Sequence, residues 1–441
     1  MGPAPSNESY LRGDRLIEAA LSVGADAIHP GYGFLSENAE FASMVQRAGL
    51  TWIGPPPSAI ERMGSKLVSR QIMSAAGVPV VPGTTSPLSS VEEARKVAED
   101  VGYPVMLKAS AGGGGKGMRR VGEPGELESA FRAACSEATR SFGDGAVYIE
   151  KLVEQPRHVE VQVLADMHGS TLHLFERDCS IQRRNQKVIE EAPCPVLDEA
   201  TREAMTGVAV RAAQAVDYVG AGTVEFLLGG DGSFYFLEMN TRLQVEHPVT
   251  ELITGVDLVQ AQLRIAGGEP LWFGQEDLSI RGHAIECRVY AEDPLAGWTP
   301  APGRIEGYRE PGGPWVRVDS GVYQGAEVPL HYDPMIAKLI IWGRDRGEAI
   351  RRTRRALGEF RIRGVRTPMS FYRAILDDAD FRSGQVTTAF LSPERTEALG
   401  EGARNDEIAV LAAAIAAFQR DCRPVVEASR AQASPWQWSY R

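Results

Sequence analysis

Apolar residues recur at helical spacing from Arg12 to Val23 and from Glu37 to Ala48. Each stretch is followed by a short apolar run, Ala25 to Ile28 and Thr51 to Ile53. Helix alternating with short buried strand is the wiring of an α/β layer on a parallel sheet. Two short strands do not cover both faces of such a sheet, so the pattern predicts a partial layer that starts abruptly. Pro55-Pro56-Pro57 reads as a stiff connector. Ser65 to Ala76 reads as a helix closed by Gly77 and Pro79. Strand signals follow at Pro104 to Ala109, Met118 to Val121 and Val147 to Glu150, with a helix over Pro124 to Arg140. From His158 the period becomes two: Val159, Val161 and Val163 alternate with Glu160, Gln162 and Leu164. Thr223 to Leu228 and Ser233 to Met239 flank Gly229-Gly230-Asp231-Gly232, a hairpin signal. Later strands are expected at His283 to Tyr290 and Pro334 to Trp342, and an Ala-rich helical tail from about 396.

Composition narrows the class. The 441 residues carry 58 acids against 47 bases, a net charge of −11. That balance argues against a nucleic-acid partner, which needs a basic face. The run Arg351-Arg352-Thr353-Arg354-Arg355 reads as a solvated helix face. Cysteines 135, 179, 194, 287 and 422 form no CxxC pair, so neither a zinc site nor a disulfide framework is indicated. A reducing, cytoplasmic setting is expected. Residues 1–5 show no leader pattern, and the apolar stretch around Ile408 to Phe418 is too short for a bilayer span.

Three constellations carry chemistry. The first is Ala111 to Gly117, where Gly113, Gly114, Gly115, Lys116 and Gly117 follow a strand ending near Lys108. Successive glycines let backbone N–H groups approach phosphate oxygens. The spacing is not that of a P-loop, and a flexible linker is the bland alternative; the flanking lysines favour phosphate. The second is Glu225 and Glu238 on the two arms of the hairpin, joined by Asn240. Paired carboxylates among apolar neighbours need a partner, and a hard cation such as Mg²⁺ supplies one. Solvent-facing strand residues are the alternative. The third is Glu238 to Pro248, with Arg242, Gln244, Val245 and Glu246, together with Arg183, Arg184 and Lys187 upstream. Cations around a small anion beside a base form a coherent arrangement; a structural ion network could explain any one of them. His29, His168, His173, His283 and His331 lack ligand spacing, and Cys179 and Cys194 lack a nearby base.

The motifs His29 to Asn38, Lys108 to Gly117, Arg177 to Arg184, Glu190-Glu191-Ala192-Pro193 and Glu238 to Pro248 resemble the biotin carboxylase family from residue 1 to about 395. Within it the chain looks most like the α subunits of propionyl-CoA or acetyl-CoA carboxylases, with Arg317 to Gly321 and Tyr332 to Met335 as the supporting stretches. The resemblance implies an α/β (α+β) ATP-grasp fold. It places a partial pre-ATP-grasp Rossmann-like domain at 1–66, an ATP-grasp domain at 67–267 with a lid at about 80–152, a biotin carboxylase C-terminal domain at 281–391, and a polar helical tail at 396–441. It also implies roles. Lys66 and Lys108 would hold ATP phosphates; Glu150, Lys151 and Val153 the adenine side; His158, Gln182 and Asn185 the nucleotide. Glu225, Glu238 and Asn240 would bind two Mg²⁺ or Mn²⁺ ions, and Lys187, Arg242, Gln244 and Val245 bicarbonate. Glu246 would be the base, Arg317 would stabilise the biotin enolate, and Tyr32 would lie near biotin.

The implied reaction is ATP-dependent carboxylation of biotin on a carrier protein, through carboxyphosphate. A biotin carboxyl carrier protein or domain and a carboxyltransferase subunit would act in trans, and a homodimer is expected if the first domain is whole. Members of the family begin further upstream, so truncation at Met1 is an expectation. Many members carry His where this chain has Asn185, which reads as a subtype mark. Another carboxyphosphate-forming ATP-grasp ligase, or a non-catalytic assembly module, is the competing reading; Arg317 and the region after 283 favour the first.

Overall fold

The computed structural model describes residues 2–110, 117–403 and 406–421. The expected phosphate loop residues Gly113, Gly114, Gly115 and Lys116 lie outside the described residues. The first layer is a parallel pair, β1 (Ala27–Ile28) and β2 (Thr51–Trp52), in register Ala27 to Thr51. Beside it lie helices Gly13–Ser22 and Ala39–Arg47. Asn38 caps the second, its side-chain oxygen accepting from Phe41 N at 2.7 Å. Phe41, Val45, Leu50, Trp52 and Ile60 form a small core, and helix Gly13–Ser22 fully buries no residue. The proline connector is more than a spacer: Pro57 opens a helix, Pro57–Gly64. Proline suits a first helical turn, where its missing N–H has no partner in any case.

A second unit has its own core. β3 (Val105–Ala109), β4 (Met118–Val121) and β5 (Val147–Lys151) form an antiparallel sheet with β3 central. Helices Val91–Val101 and Leu127–Phe142 cover it, burying Leu107, Leu127, Ala134 and Ile149. The N–H of Ala109 donates to Gly117 O at 2.9 Å, tying together the two ends of the glycine-rich stretch.

The body is one antiparallel sheet of eight strands. They are β6 (Arg157–Ala165), β7 (Thr171–Arg183), β8 (Gln186–Ala192), β9 (Gly220–Leu228), β10 (Phe234–Asn240), β11 (His283–Tyr290), β12 (Val316–Ser320) and β13 (Met335–Gly343). Their spatial order is β10-β9-β6-β7-β8-β11-β13-β12. The β9–β10 hairpin forms where the glycines announced it, with Asp231 Oδ1 accepting from Ser233 N at 3.0 Å. On one face Val159, Val161, Val163, Val224 and Phe226 pack against helix Glu199–Gln214. Further along, Ile285, Cys287, Leu339 and Ile341 pack with helices Arg346–Glu359 and Met369–Asp377. The opposite face is also buried, and it is polar: Glu160 and Gln162 are fully inaccessible. Among the described residues no helix is long and apolar enough to cross a membrane.

Candidate active site

The polar face is a cross-strand ladder. Arg177 on β7 stands opposite Glu160 on β6, Glu160 opposite Glu225 on β9, and Glu225 opposite Glu238 on β10. Directly opposed residues project to the same side, with Cβ atoms roughly 5 Å apart. Three carboxylates in a row would repel, so cations must sit among them. Arg177, wholly buried, donates to Glu160 Oε1 at 2.6 Å, Gln162 Oε1 at 2.8 Å and Thr250 Oγ1 at 2.9 Å. Lys187 reaches three carboxylates with one ammonium: Glu225 Oε1 at 2.9 Å, Glu246 Oε1 at 2.7 Å, and Glu160. Burial would lower the Lys187 pKa, but these three acids raise it well above its ordinary value.

Glu246 sits between two cations. Its second oxygen accepts from Arg288 Nη2 at 2.8 Å, and Arg288 Nε donates to Glu190 Oε1 at 2.5 Å. Burial alone would push Glu246 up; Lys187, Arg288 and Arg177 hold it well below the carboxylate range, so it is ionised at neutral pH. Glu225 is likewise depressed, by Lys187 and His158 against burial. His158 Nε2 stands 2.9 Å from Glu225 Oε2, and Gln182 Nε2 lies 2.7 Å from His158 Nδ1. The segment after β10 closes this pocket. Asn240 Nδ2 donates to Glu225 Oε1 at 2.8 Å and Gln244 Nε2 to the same oxygen at 3.3 Å. Arg242 donates to Asn240 Oδ1 at 3.1 Å, Gln244 Oε1 at 2.9 Å and Glu37 Oε2 at 2.9 Å. Val245 contributes its carbonyl, which accepts from Lys338 Nζ at 2.8 Å.

The far end of the ladder reaches the surface. Glu238 is exposed and makes no ion pair among the described residues. Confinement by the cleft walls and the neighbouring charge of Glu225 raise its pKa, with Lys66 opposing. Lys66 begins helix Lys66–Ala75, where the Ser65 hydroxyl accepts from Val68 N at 3.4 Å. Burial lowers its pKa, partly countered by Glu238 and Glu150. Lys108 on β3 pairs with Glu150 on β5, and Arg70 Nη1 joins that carboxylate at 3.5 Å. Oxygen donors suit a hard cation. An unpaired Glu238 opposite Glu225, whose mutual repulsion a divalent ion would relieve, fits such an ion.

Several expected residues stand elsewhere. Arg317 on β12 is held by Asp319 (Nε to Oδ1, 2.8 Å) and by Glu251 (Nη1 to Oε2, 2.6 Å). Two carboxylates neutralise it, and no hydrogen bond among the described residues joins it to the Glu246 cluster. Arg288 is the arginine that reaches Glu246. Its sequence signal was slight: one arginine in an expected strand, two residues after Glu286. Arg183 points away, pairing with Glu292 and lying 5.1 Å over the Trp298 ring. Arg184 and Asn185, both exposed, form the β7–β8 turn with φ of 47° and 63°. Lys151 directs its ammonium to Gly102 O at 3.0 Å and Tyr103 O at 2.9 Å, so only its backbone is left for a ligand. Val153 is half-buried beyond β5, and Tyr32 is exposed in its loop without a hydrogen bond to the cluster among the described residues. Sequence reasoning also missed Glu37, Arg70, Glu160, Arg177 and Glu190.

Comparison with known proteins identifies the family. Residues 1–60 match the biotin carboxylase N-terminal domain, 65–273 the ATP binding domain of the carbamoyl-phosphate synthase L chain, and 286–393 the biotin carboxylase C-terminal domain. The chain is similar to a biotin carboxylase of Nostoc sp., 54% identical over 391 residues, covering 89% of this chain and 88% of the relative. It is also similar to the propionyl-CoA carboxylase alpha chain of Ruegeria pomeroyi, 50% identical over 441 residues, with 95% and 65% covered. Among solved structures it resembles the biotin carboxylase domain dimer of Hydrogenobacter thermophilus 2-oxoglutarate carboxylase with MgADP, ADP and bicarbonate. There the TM-score is 0.84 at 48% identity, with 90% and 87% covered. With three family domains matched in order and identity near one half along nine-tenths of its length, this chain belongs to the biotin carboxylase family, of the acyl-CoA carboxylase type.

Proposed function

We propose that this protein carboxylates biotin with bicarbonate and ATP, the first half-reaction of an acyl-CoA carboxylase. The observation that carries the reading is the buried Glu246 carboxylate between Lys187 and Arg288, on the same polar face as Glu225 and the exposed Glu238, whose charge Lys66 feels. In this reading Lys66 and Lys108 hold the ATP phosphates, and Glu225 and Glu238 hold the divalent ion. Such an ion would supply positive charge that offsets the charge of phosphoryl transfer. Lys187, Arg242, Gln244 and the Val245 backbone bind bicarbonate. Glu246 takes the bicarbonate proton; the cations that keep it ionised also stabilise the anion it produces, so position compensates for weak basicity. The bicarbonate oxygen attacks the γ-phosphorus and displaces ADP, and the carboxyphosphate formed breaks down to CO₂ and phosphate. As the released phosphate takes the proton of the biotin nitrogen and that nitrogen captures CO₂, Arg288 holds the ureido oxyanion. It takes the role that the resemblance implied for Arg317, because Arg288 touches the reacting cluster and Arg317 does not.

Biotin on a carrier protein or domain is the acceptor in this reading. A carboxyltransferase partner follows from the same half-reaction, and the Hydrogenobacter relative is described as a dimer. The decisive assay is ATP hydrolysis with and without bicarbonate and free biotin. Dependence on both supports the reading; hydrolysis indifferent to biotin favours a different carboxyphosphate-forming ligase.

A further inference from the structure

Glu190 on β8 and Glu286 on β11 are direct register partners, and both are completely buried. Opposed carboxylates with Cβ atoms roughly 5 Å apart are the least favourable cross-strand pair when both are charged. Their cover is apolar: Ala192, Ala284 and Ile340 on the sheet, Val249 and Ile253 from helix His247–Thr254. Glu190 gives one oxygen to Arg288 Nε. Its other oxygen and both oxygens of Glu286 have no protein partner. Glu286 makes no ion pair among the described residues, and the nearby Lys338 only partly offsets the cost of a second buried negative charge.

We propose that Glu190 and Glu286 share one proton and act as a positioning pair that sets where Arg288 points. The inference rests on the role of Arg288 given above. With one proton present, Glu190 carries the charge that anchors Arg288 Nε, and Glu286 stays neutral. Arg288 is then free to extend Nη2 to Glu246. With the proton lost, a second carboxylate on the same strand as Arg288, two residues away, competes for the guanidinium and draws it from Glu246.

The surrounding charges fit this assignment. Arg288 from β11, Lys338 from β13, Lys187 from β8 and Glu246 at the start of the helix face the pair. Lys338 is engaged with Val245 O and lies 3.3 Å from Asp319. Lys187 is shared among three other acids. His247 is held neutral by burial, its pKa pushed down to about 3. Cys287 and Tyr290 also stay neutral, burial raising the thiol and moving the phenol up to about 12. Burial raises Glu190 to about 7 despite Arg288, and raises Glu286 well above its ordinary value. A coupled pair of this kind titrates as a unit.

The test uses the full chain and its Glu286→Gln and Glu190→Gln variants. Difference infrared spectroscopy in D₂O reads the carbonyl stretch of a protonated carboxyl group. The parent should show a buried acid band near neutral pH that fades on the alkaline side and is missing in Glu286→Gln. The turnover of biotin-dependent ATP hydrolysis should fall over the same alkaline range in the parent and lose that limb in Glu286→Gln, whose amide imitates the neutral acid. Glu190→Gln should weaken the biotin step by about 10- to 100-fold, the scale of one charge-assisted hydrogen bond, while the KM for ATP stays put. A parent with no titrating acid band, or a Glu286→Gln profile that overlays the parent, overturns the proposal. The band in the parent is read even if a variant does not fold. A parent not stimulated by biotin would overturn the functional reading instead, and leaves the band as an independent measure of the pair.

Discussion

The two sides of the cleft treat charge in opposite ways. On the inner side every acid of the set Glu160, Glu225 and Glu246 already meets a cation from Lys187, Arg177 or Arg288. On the outer side Glu238 is exposed without an ion pair among the described residues, and Lys66 faces it across the opening. A saturated network holds its geometry before substrate arrives, which is what a base and anion site require. An unsaturated set is poised for ligands that bring their own charge, as a metal nucleotide does. In the proposed reaction the inner side would govern the chemical step, and the outer side loading.

The strongest test of this division is on the inner side. Glu246→Gln should lower biotin-dependent ATP hydrolysis by roughly 10²–10⁴-fold, the usual contribution of a placed base. Nucleotide binding, measured by calorimetry, should be near that of the parent. Comparable turnover in both proteins would remove Glu246 from the mechanism. Because its folded pKa is depressed, Glu246 contributes stability above its unfolded value that is lost only as pH falls through the lower folded value. The acid limb of the activity profile should accordingly lie below the ordinary carboxylate range.

The arginine assignment separates next. Arg288→Met should cost about 10²–10³-fold in turnover with biotin, the scale of removing one oxyanion donor. It also leaves Glu190 and Glu246 without their shared partner, so thermal melting should drop. Arg317→Met should change turnover by only a few fold, since its guanidinium is already bound to Asp319 and Glu251. The opposite ranking would restore Arg317 to the biotin side.

A milder change is expected on the outer side. Glu238→Gln should raise the Mg²⁺ concentration needed for half-maximal activity by about 10-fold or more, and saturating metal should recover much of the rate. A Mg²⁺ titration that does not move would make the Glu225–Glu238 pair structural.

Legibility along the chain followed the range of the interactions. The parallel pair at Ala27 and Thr51, the glycine hairpin at 229–232 and the opposed Glu225 and Glu238 were all readable, because turn chemistry and local periodicity fix them. The partners of Lys187 were not. Glu160, Glu225 and Glu246 come from three separate segments, and only sheet order brings them to one ammonium. Arg288 stood unremarked in the expected strand His283 to Tyr290, and Glu160 and Gln162 showed only as the positions alternating with valines. Here both faces are covered, so alternation marks two kinds of interior instead of inside and outside. Arg317 was placed by family resemblance; its contacts on β12 are with Asp319 and Glu251, and the proposed biotin role passes to Arg288, on a strand nearer the centre of the same sheet.

The smallest effect belongs to a residue that belongs to neither side. Asn185 ends the two-residue turn between β7 and β8, with Arg184 and Asn185 both in the left-handed region. Such a turn matches the twist of the flanking strands. Among side-chain-bearing residues, Asn, Asp and His are the ones enriched there. Backbone conformation therefore accounts for Asn at a position where the resemblance led us to expect His, with no need for a titrating group. On this argument Asn185→His should leave the pH profile of biotin-dependent ATP hydrolysis unchanged and shift stability by only a few tenths of a kcal/mol, whereas Asn185→Val should destabilise by about 1–2 kcal/mol. Lys187 lies two residues beyond the turn, so the valine variant should also loosen its hold on the three carboxylates and lower turnover slightly. A new ionisation near the ordinary histidine value of about 6.5 in Asn185→His would show instead that this position touches a chemical step. The turn would then belong to the inner side of the cleft.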